Sequence, residues 1–94
     1  MNTEIVTAIH RLFSACLEVT EAGQFHAFMN YSAHIDKVCV YVHPSDTDYH
    51  SRGYACVLDE GVSLSGLLAD DPVAELEAIT RRVYGLIERK QEAA

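Results

Sequence analysis

The chain has 94 residues, 49% hydrophobic and 22% charged, with a net charge of −7 from fourteen acids against seven bases. That is one domain's length, taken as residues 1–94, and a globular composition, which excludes disorder. An acidic excess of this size repels phosphate, so direct nucleic-acid binding is excluded and anionic membrane surfaces are disfavoured.

Cys16, Cys39 and Cys56 are an odd number at wide spacing with no CxxC pair. They read as reduced thiols of an intracellular protein rather than a disulfide framework. No stretch reaches the ~18–20 apolar residues of a membrane span. The start, Met1-Asn2-Thr3-Glu4, lacks the basic and apolar parts of a signal peptide, so the expected location is the cytoplasm, with no membrane partner.

The first predicted element is a helix over about residues 3–22. Ile5, Ile9, Leu12, Phe13, Cys16 and Leu17 recur at three- and four-residue steps and form one apolar stripe. Asn2 or Thr3 can cap its start, and Gly23 can take the left-handed conformation that ends it. The period then becomes two. Phe25, Ala27, Met29, Tyr31, Ala33 and Ile35 alternate with His26, Phe28, Asn30, Ser32 and His34, which predicts a strand over about 25–34. Val38, Val40 and Val42 alternate with Cys39, Tyr41 and His43, which predicts a second over about 38–43.

A two-residue turn at Asp36-Lys37 sets Ile35 opposite Val38, Ala33 opposite Val40 and Tyr31 opposite Val42. A four-residue loop keeps the same faces, whereas a slip of one residue would turn the valines over. A third strand is expected over about 53–58, with Tyr54, Cys56 and Leu58 on the valine face and Ala55 and Val57 on the other. The segment from Pro44 to Arg52 reads as an exposed, turn-rich loop. Glu60 to Ala69 reads as irregular, with Leu64, Leu67 and Leu68 covering one end of the core. The last helix, about 71–90, has Asp71 as cap and Pro72 at its first position, and buries Val73, Leu76, Ile79, Val83, Leu86 and Ile87.

The fold class is therefore α+β in the order α-β-β-β-α. It is a three-stranded antiparallel sheet with two helices packed on one face, which buries all the stripes at once and leaves the other face open. The double-stranded-RNA-binding domain has the same order, but it grips phosphates with lysines at the start of its last helix. Here that position reads Asp70-Asp71-Pro72-Val73-Ala74-Glu75, and the sign excludes RNA.

The open face would carry Phe28, Asn30, Ser32, His34, Cys39, Tyr41, His43 and Val57, with His26 beside them. Such a surface, rich in aromatic and poor in charged residues, has the composition of an interface core. The expected function is a small, acidic, non-enzymatic protein-binding module. It would dock on a partner protein or self-associate as a homodimer through this face, with Phe28 and Tyr41 as anchors.

A second reading starts from Asp46, Asp48, Asp59, Glu60, Asp70, Asp71, Glu75 and Glu77. These eight acids fall within 32 residues with Arg52 the one base among them. Such a surface could mimic a nucleic-acid backbone and block the basic groove of a nucleic-acid-handling complex; phage-encoded inhibitors of host defence often have this size and charge, an analogy of kind and not a motif match. A more distant reading places zinc on His34 and Cys39, which face one another in the proposed register. Structural zinc usually takes four ligands, and no second close pair exists, so no metal and no cofactor are expected. Catalysis at Cys39 would need an oriented base and an oxyanion turn, and neither is legible, so no enzyme is expected. Asp46-x-Asp48 lacks the glycine and terminal glutamate of a calcium loop, and the Gly61–Gly66 stretch lacks the lysine of a phosphate loop.

Overall fold

A computed structural model describes residues 2–50 and 56–93, with side chains through Ile87. The first helix, α1, spans Thr3–Glu21. Asn2 caps it as its sequence suggests: its backbone is extended, and its Oδ1 accepts the Ile5 N–H at 2.8 Å. Gly23, at φ +87°, turns the chain out of the helix. The buried face consists of Ile5, Ala8, Leu12, Ala15, Cys16 and Val19. It is rotated from the expected stripe toward the two alanines, whose small side chains admit the second helix. Phe13 and Leu17, expected inside, are 53% and 50% exposed.

The three strands are β1, Phe25–Ser32; β2, Lys37–Pro44; and β3, Leu58–Ser63. They form an antiparallel sheet in the order β1-β2-β3. The faces of β1 and β2 are those read from the alternation, but the hairpin is longer than the tight turn. Tyr31 opposes Val38, Met29 opposes Val40 and Ala27 opposes Val42. Residues 33–36 form the four-residue loop, closed by the Asp36 N–H donating to the Ala33 carbonyl at 3.3 Å. Asp36 sits at φ +50°, a conformation that aspartate tolerates better than branched residues. Its carboxylate accepts the Tyr31 hydroxyl at 2.8 Å, and its carbonyl accepts the Leu64 N–H at 2.9 Å. Hydrogen bonds from Ser65 and Tyr31 hold the Asp36 carboxyl below the usual carboxylate range.

The third strand departs from expectation. Of the expected segment, residues 53–55 lie outside the described residues, Cys56 is exposed ahead of the strand, and only Leu58 belongs to it. The strand instead occupies Leu58–Ser63, the start of the stretch read as irregular. Leu58 and Val62 are buried on the valine face with Glu60 between them. A carboxylate is tolerated there because β3 is an edge strand and Glu60 reaches Arg82 of the last helix at 2.6 Å. Leu64 is buried as expected, but Leu67 and Leu68 face solvent and cover nothing.

The last helix, α2, spans Pro72–Ala93. Asp71 caps it, its Oδ1 accepting the Ala74 N–H at 3.2 Å. Leu76, Ile79, Val83 and Leu86 are buried and Val73 and Ile87 half-buried, as the periodicity predicts. The helix α1 lies along β1, α2 along β3, and the two pack on each other above the valines of β2. They run in the same direction, since Arg11 meets Glu77 and, seven residues on in both, Glu18 accepts the Tyr84 hydroxyl. Among the described residues, no helix is long and apolar enough to cross a membrane.

Candidate protein-binding face

Both helices occupy the valine side of the sheet, so the alternate residues of the strands face away from them. In register, His26 opposes His43, Phe28 opposes Tyr41, Asn30 opposes Cys39 and Ser32 opposes Lys37. Toward β3, Tyr41 opposes Asp59, Cys39 opposes Gly61 and Lys37 opposes Ser63. The face thus has an aromatic half and a small polar half.

The aromatic half is a packed cluster. The rings of Phe28 and Tyr41 are nearly parallel, with centroids 5.0 Å apart. Tyr49 comes in from the loop after β2, edge-on to Phe28 and His43 and stacked on His26, whose Nδ1 lies 3.0 Å from the Tyr49 hydroxyl. Phe28 and Tyr41 also stand edge-on to His43. Surrounded in this way, and with Cys56 Sγ 3.9 Å from its Nε2, His43 is only 3% exposed. Phe28 and Tyr41 remain 37% exposed each.

The expected face therefore needs four corrections. It is not bare, because the loop expected to hang in solvent folds Tyr49 over its end and buries His43. Nor is it free of charge: Asp59 flanks Tyr41, and Lys37 lies across β3. A Cβ at Gly61 would sit 2.8 Å from Lys37 Cε, so the missing side chain there makes the space for that lysine. His34 is not on the strand but in the hairpin turn, exposed, and Val57 is an exposed residue just ahead of β3. Asn30 and Ser32, exposed and half-buried, and half-buried Cys39 stand where the alternation placed them.

The longer hairpin also separates the pair considered for zinc. Asn30, not His34, faces Cys39, and no group of three or more His, Cys, Asp or Glu converges on a point among the described residues. The three thiols have distinct surroundings. Burial pushes Cys16 up to about 11, Cys39 is half-buried, and Cys56 is exposed rather than in the core as expected. Reactivity follows the thiolate fraction and access. Iodoacetamide at neutral pH should therefore modify Cys56 first, Cys39 more slowly, and Cys16 only after denaturation. Peptide mass spectrometry over a time course reads this order, and early loss of Cys16 would contradict its burial.

The acidic set divides between layers. Asp59 is on the sheet face, and exposed Asp46 and Asp48 are in the loop that carries Tyr49, where Asp48 accepts the His50 N–H at 3.0 Å. Asp70, Asp71 and Glu75 gather at the start of α2, Asp71 as its cap. Glu60 and Glu77 are paired with Arg82 and Arg11. Between the helices lies a shallow concavity of about 390 Å³ whose lining includes His10, Arg11, Thr80 and Tyr84.

Tyr49, Lys37 and Asp59 were not read as parts of the face. Tyr49 had one usable signal, a lone large aromatic in an otherwise polar loop. No family model, no curated protein and no solved structure matches the chain.

Proposed function

We propose that this protein is a non-enzymatic protein-binding module that docks the aromatic half of its sheet face on a basic partner protein. The observation that carries this reading is the Phe28–Tyr41 stack, half-exposed in the middle of a sheet face that no helix covers.

Two nearly parallel rings with centroids this close overlap face on, and Phe28 and Tyr41 lie on neighbouring strands. The second face of Tyr41 is therefore turned toward β3, where Asp59 is its cross-strand neighbour. Asp59 has no ion-pair partner among the described residues. An aromatic face beside a carboxylate suits a guanidinium, which stacks on the ring and hydrogen-bonds the carboxylate in its own plane. Asp46 and Asp48 add negative charge at the same end. Two copies meeting through this face would bring Asp59, Asp46 and Asp48 of one against the same acids of the other, so a basic partner fits this face better than a second copy.

The test uses immobilised wild-type protein and a Phe28→Ser, Tyr41→Glu double variant, exposed to lysate at two salt concentrations. Removing two central aromatics should weaken retention by more than about 30-fold, the scale of hot-spot residues. Far-UV circular dichroism should keep its shape, while the unfolding midpoint falls but stays cooperative, since both rings are 37% exposed yet pack on His43. The retained protein should be basic, and retention should fall steeply between about 0.05 and 0.5 M salt. A folded double variant that keeps the same partner would remove this face from consideration.

A further inference from the structure

Phe13, Leu17, Tyr31 and Ile35 are each roughly half-exposed. On α1, Val6, Ile9, Phe13 and Leu17 follow steps of three, four and four, a second apolar stripe beside the buried one. Its position relative to the sheet is fixed by Thr20. The Gln24 carbonyl accepts the Ser45 N–H at 3.0 Å, so even-numbered residues of β1 turn their backbone toward β2 and odd-numbered ones turn outward. The outward Ala27 N–H donates to Thr20 Oγ1 at 3.1 Å. Thr20 lies on the same side of α1 as Ile9 and Phe13, so this stripe overhangs the free edge of β1. Tyr31 is the last residue but one of that strand, and Ile35 sits in the turn that follows.

We propose that this flank of α1 is the interface of a homodimer, in which two α1 helices pack antiparallel about a two-fold axis. Three observations favour a second copy as the occupant. First, reversing the stripe on itself matches large to small: Leu17 meets the partner's Val6, and Phe13 meets the partner's Ile9. Second, the same reversal sets each Glu21 beside the Asn2–Thr3 end of the other α1, the positive end of that helix dipole, which offsets the repulsion from Glu4 in that first turn. Third, the area suffices. Four half-exposed large side chains present roughly 400 Å² per copy, a size at which a patch on a small protein commonly marks a contact. Two copies would remove about 800 Å² from these four alone, and Val6, Ile9 and the polar borders bring the total to the ~1,200 Å² where specific interfaces begin. The flank lies on the helix side of β1, away from the Phe28–Tyr41 stack, so a dimer would present two sheet faces at once.

The salt response separates this contact from partner docking. Each copy carries −7, so dimerisation should strengthen as salt screens the repulsion, whereas docking on a basic partner should weaken. Sedimentation equilibrium of the full chain at about 0.05 and 0.5 M salt should show a monomer–dimer equilibrium shifted toward dimer at the higher salt. Phe13→Ser with Leu17→Ser keeps the net charge and touches no buried residue. It should weaken the dimer by more than about 30-fold while leaving the unfolding midpoint of the monomer nearly unchanged. Glu21→Lys should weaken it more modestly, by a few fold. A wild-type chain that stays monomeric at both salts overturns the proposal. So does a dimer that the double serine variant retains, or one that Tyr41→Glu disrupts instead.

Discussion

Val40→Asp is expected to abolish folding. Val40 is fully buried at the centre of the sheet, between Met29 and Glu60 on the neighbouring strands and beneath the two helices. An aspartate there has no cation within the core to pair with, and burying an unpaired carboxylate costs several kcal/mol. A domain of this length has only ~5–10 kcal/mol of stability in total. Val40→Ala, which loses two methyl groups and leaves a small cavity, should cost only about 2 kcal/mol and leave a cooperative transition. The sharper control is one residue away: Tyr41→Asp places the same charge on the outer face and should fold. Circular dichroism with thermal melts compares the three. A folded Val40→Asp beside an unfolded Tyr41→Asp would reverse the assignment of the two faces.

The faces of β1 and β2 were legible because period-two alternation over so many residues admits one phase, and turn length does not change it. The same argument could not set where the turn falls. Moving it from residues 36–37 to 33–36 shifts every cross-strand partner while keeping its face, so Cys39 faces Asn30 rather than His34. The third strand was illegible for a different reason. Leu58-Asp59-Glu60-Gly61-Val62-Ser63 places a carboxylate at a core-side position and a glycine on the outer side, which erases the apolar alternation. Both residues are explained by contacts distant in sequence: Arg82 receives Glu60, and Lys37 occupies the space over Gly61. On α1, hydrophobicity points to Phe13 and Leu17, but packing against a second helix favours the alanines, and apolarity alone does not report which side that helix takes. The burial of His43 depends on Tyr49, six residues on in a loop with no periodicity.

Alkaline pH should destabilise the fold through groups that are protonated at neutrality. Burial raises Cys16 from its ordinary 9.0 to about 11. Tyr84 and Tyr31 are raised too, first because their hydroxyls donate to Glu18 and Asp36, bonds that ionisation would break. In all three cases the folded state holds its proton more tightly than the unfolded chain. The stability this represents is fully present below the unfolded values, near pH 9 for the thiol and near pH 10 for the phenols. It is lost as the pH rises through the folded ones. Each unit of difference corresponds to about 1.4 kcal/mol, so Cys16 alone should account for roughly 2–3 kcal/mol lost between about pH 9 and pH 11. The informative quantity is the difference between variants. Cys16→Ala is small enough for the same site and cannot ionise, so its urea midpoint should fall distinctly less than that of the wild type over this interval, even though it starts lower at pH 7. Tyr84→Phe should remove a smaller share with the same sign. Parallel curves for the wild type and Cys16→Ala would mean that the thiol meets water as readily in the folded protein as in the unfolded chain.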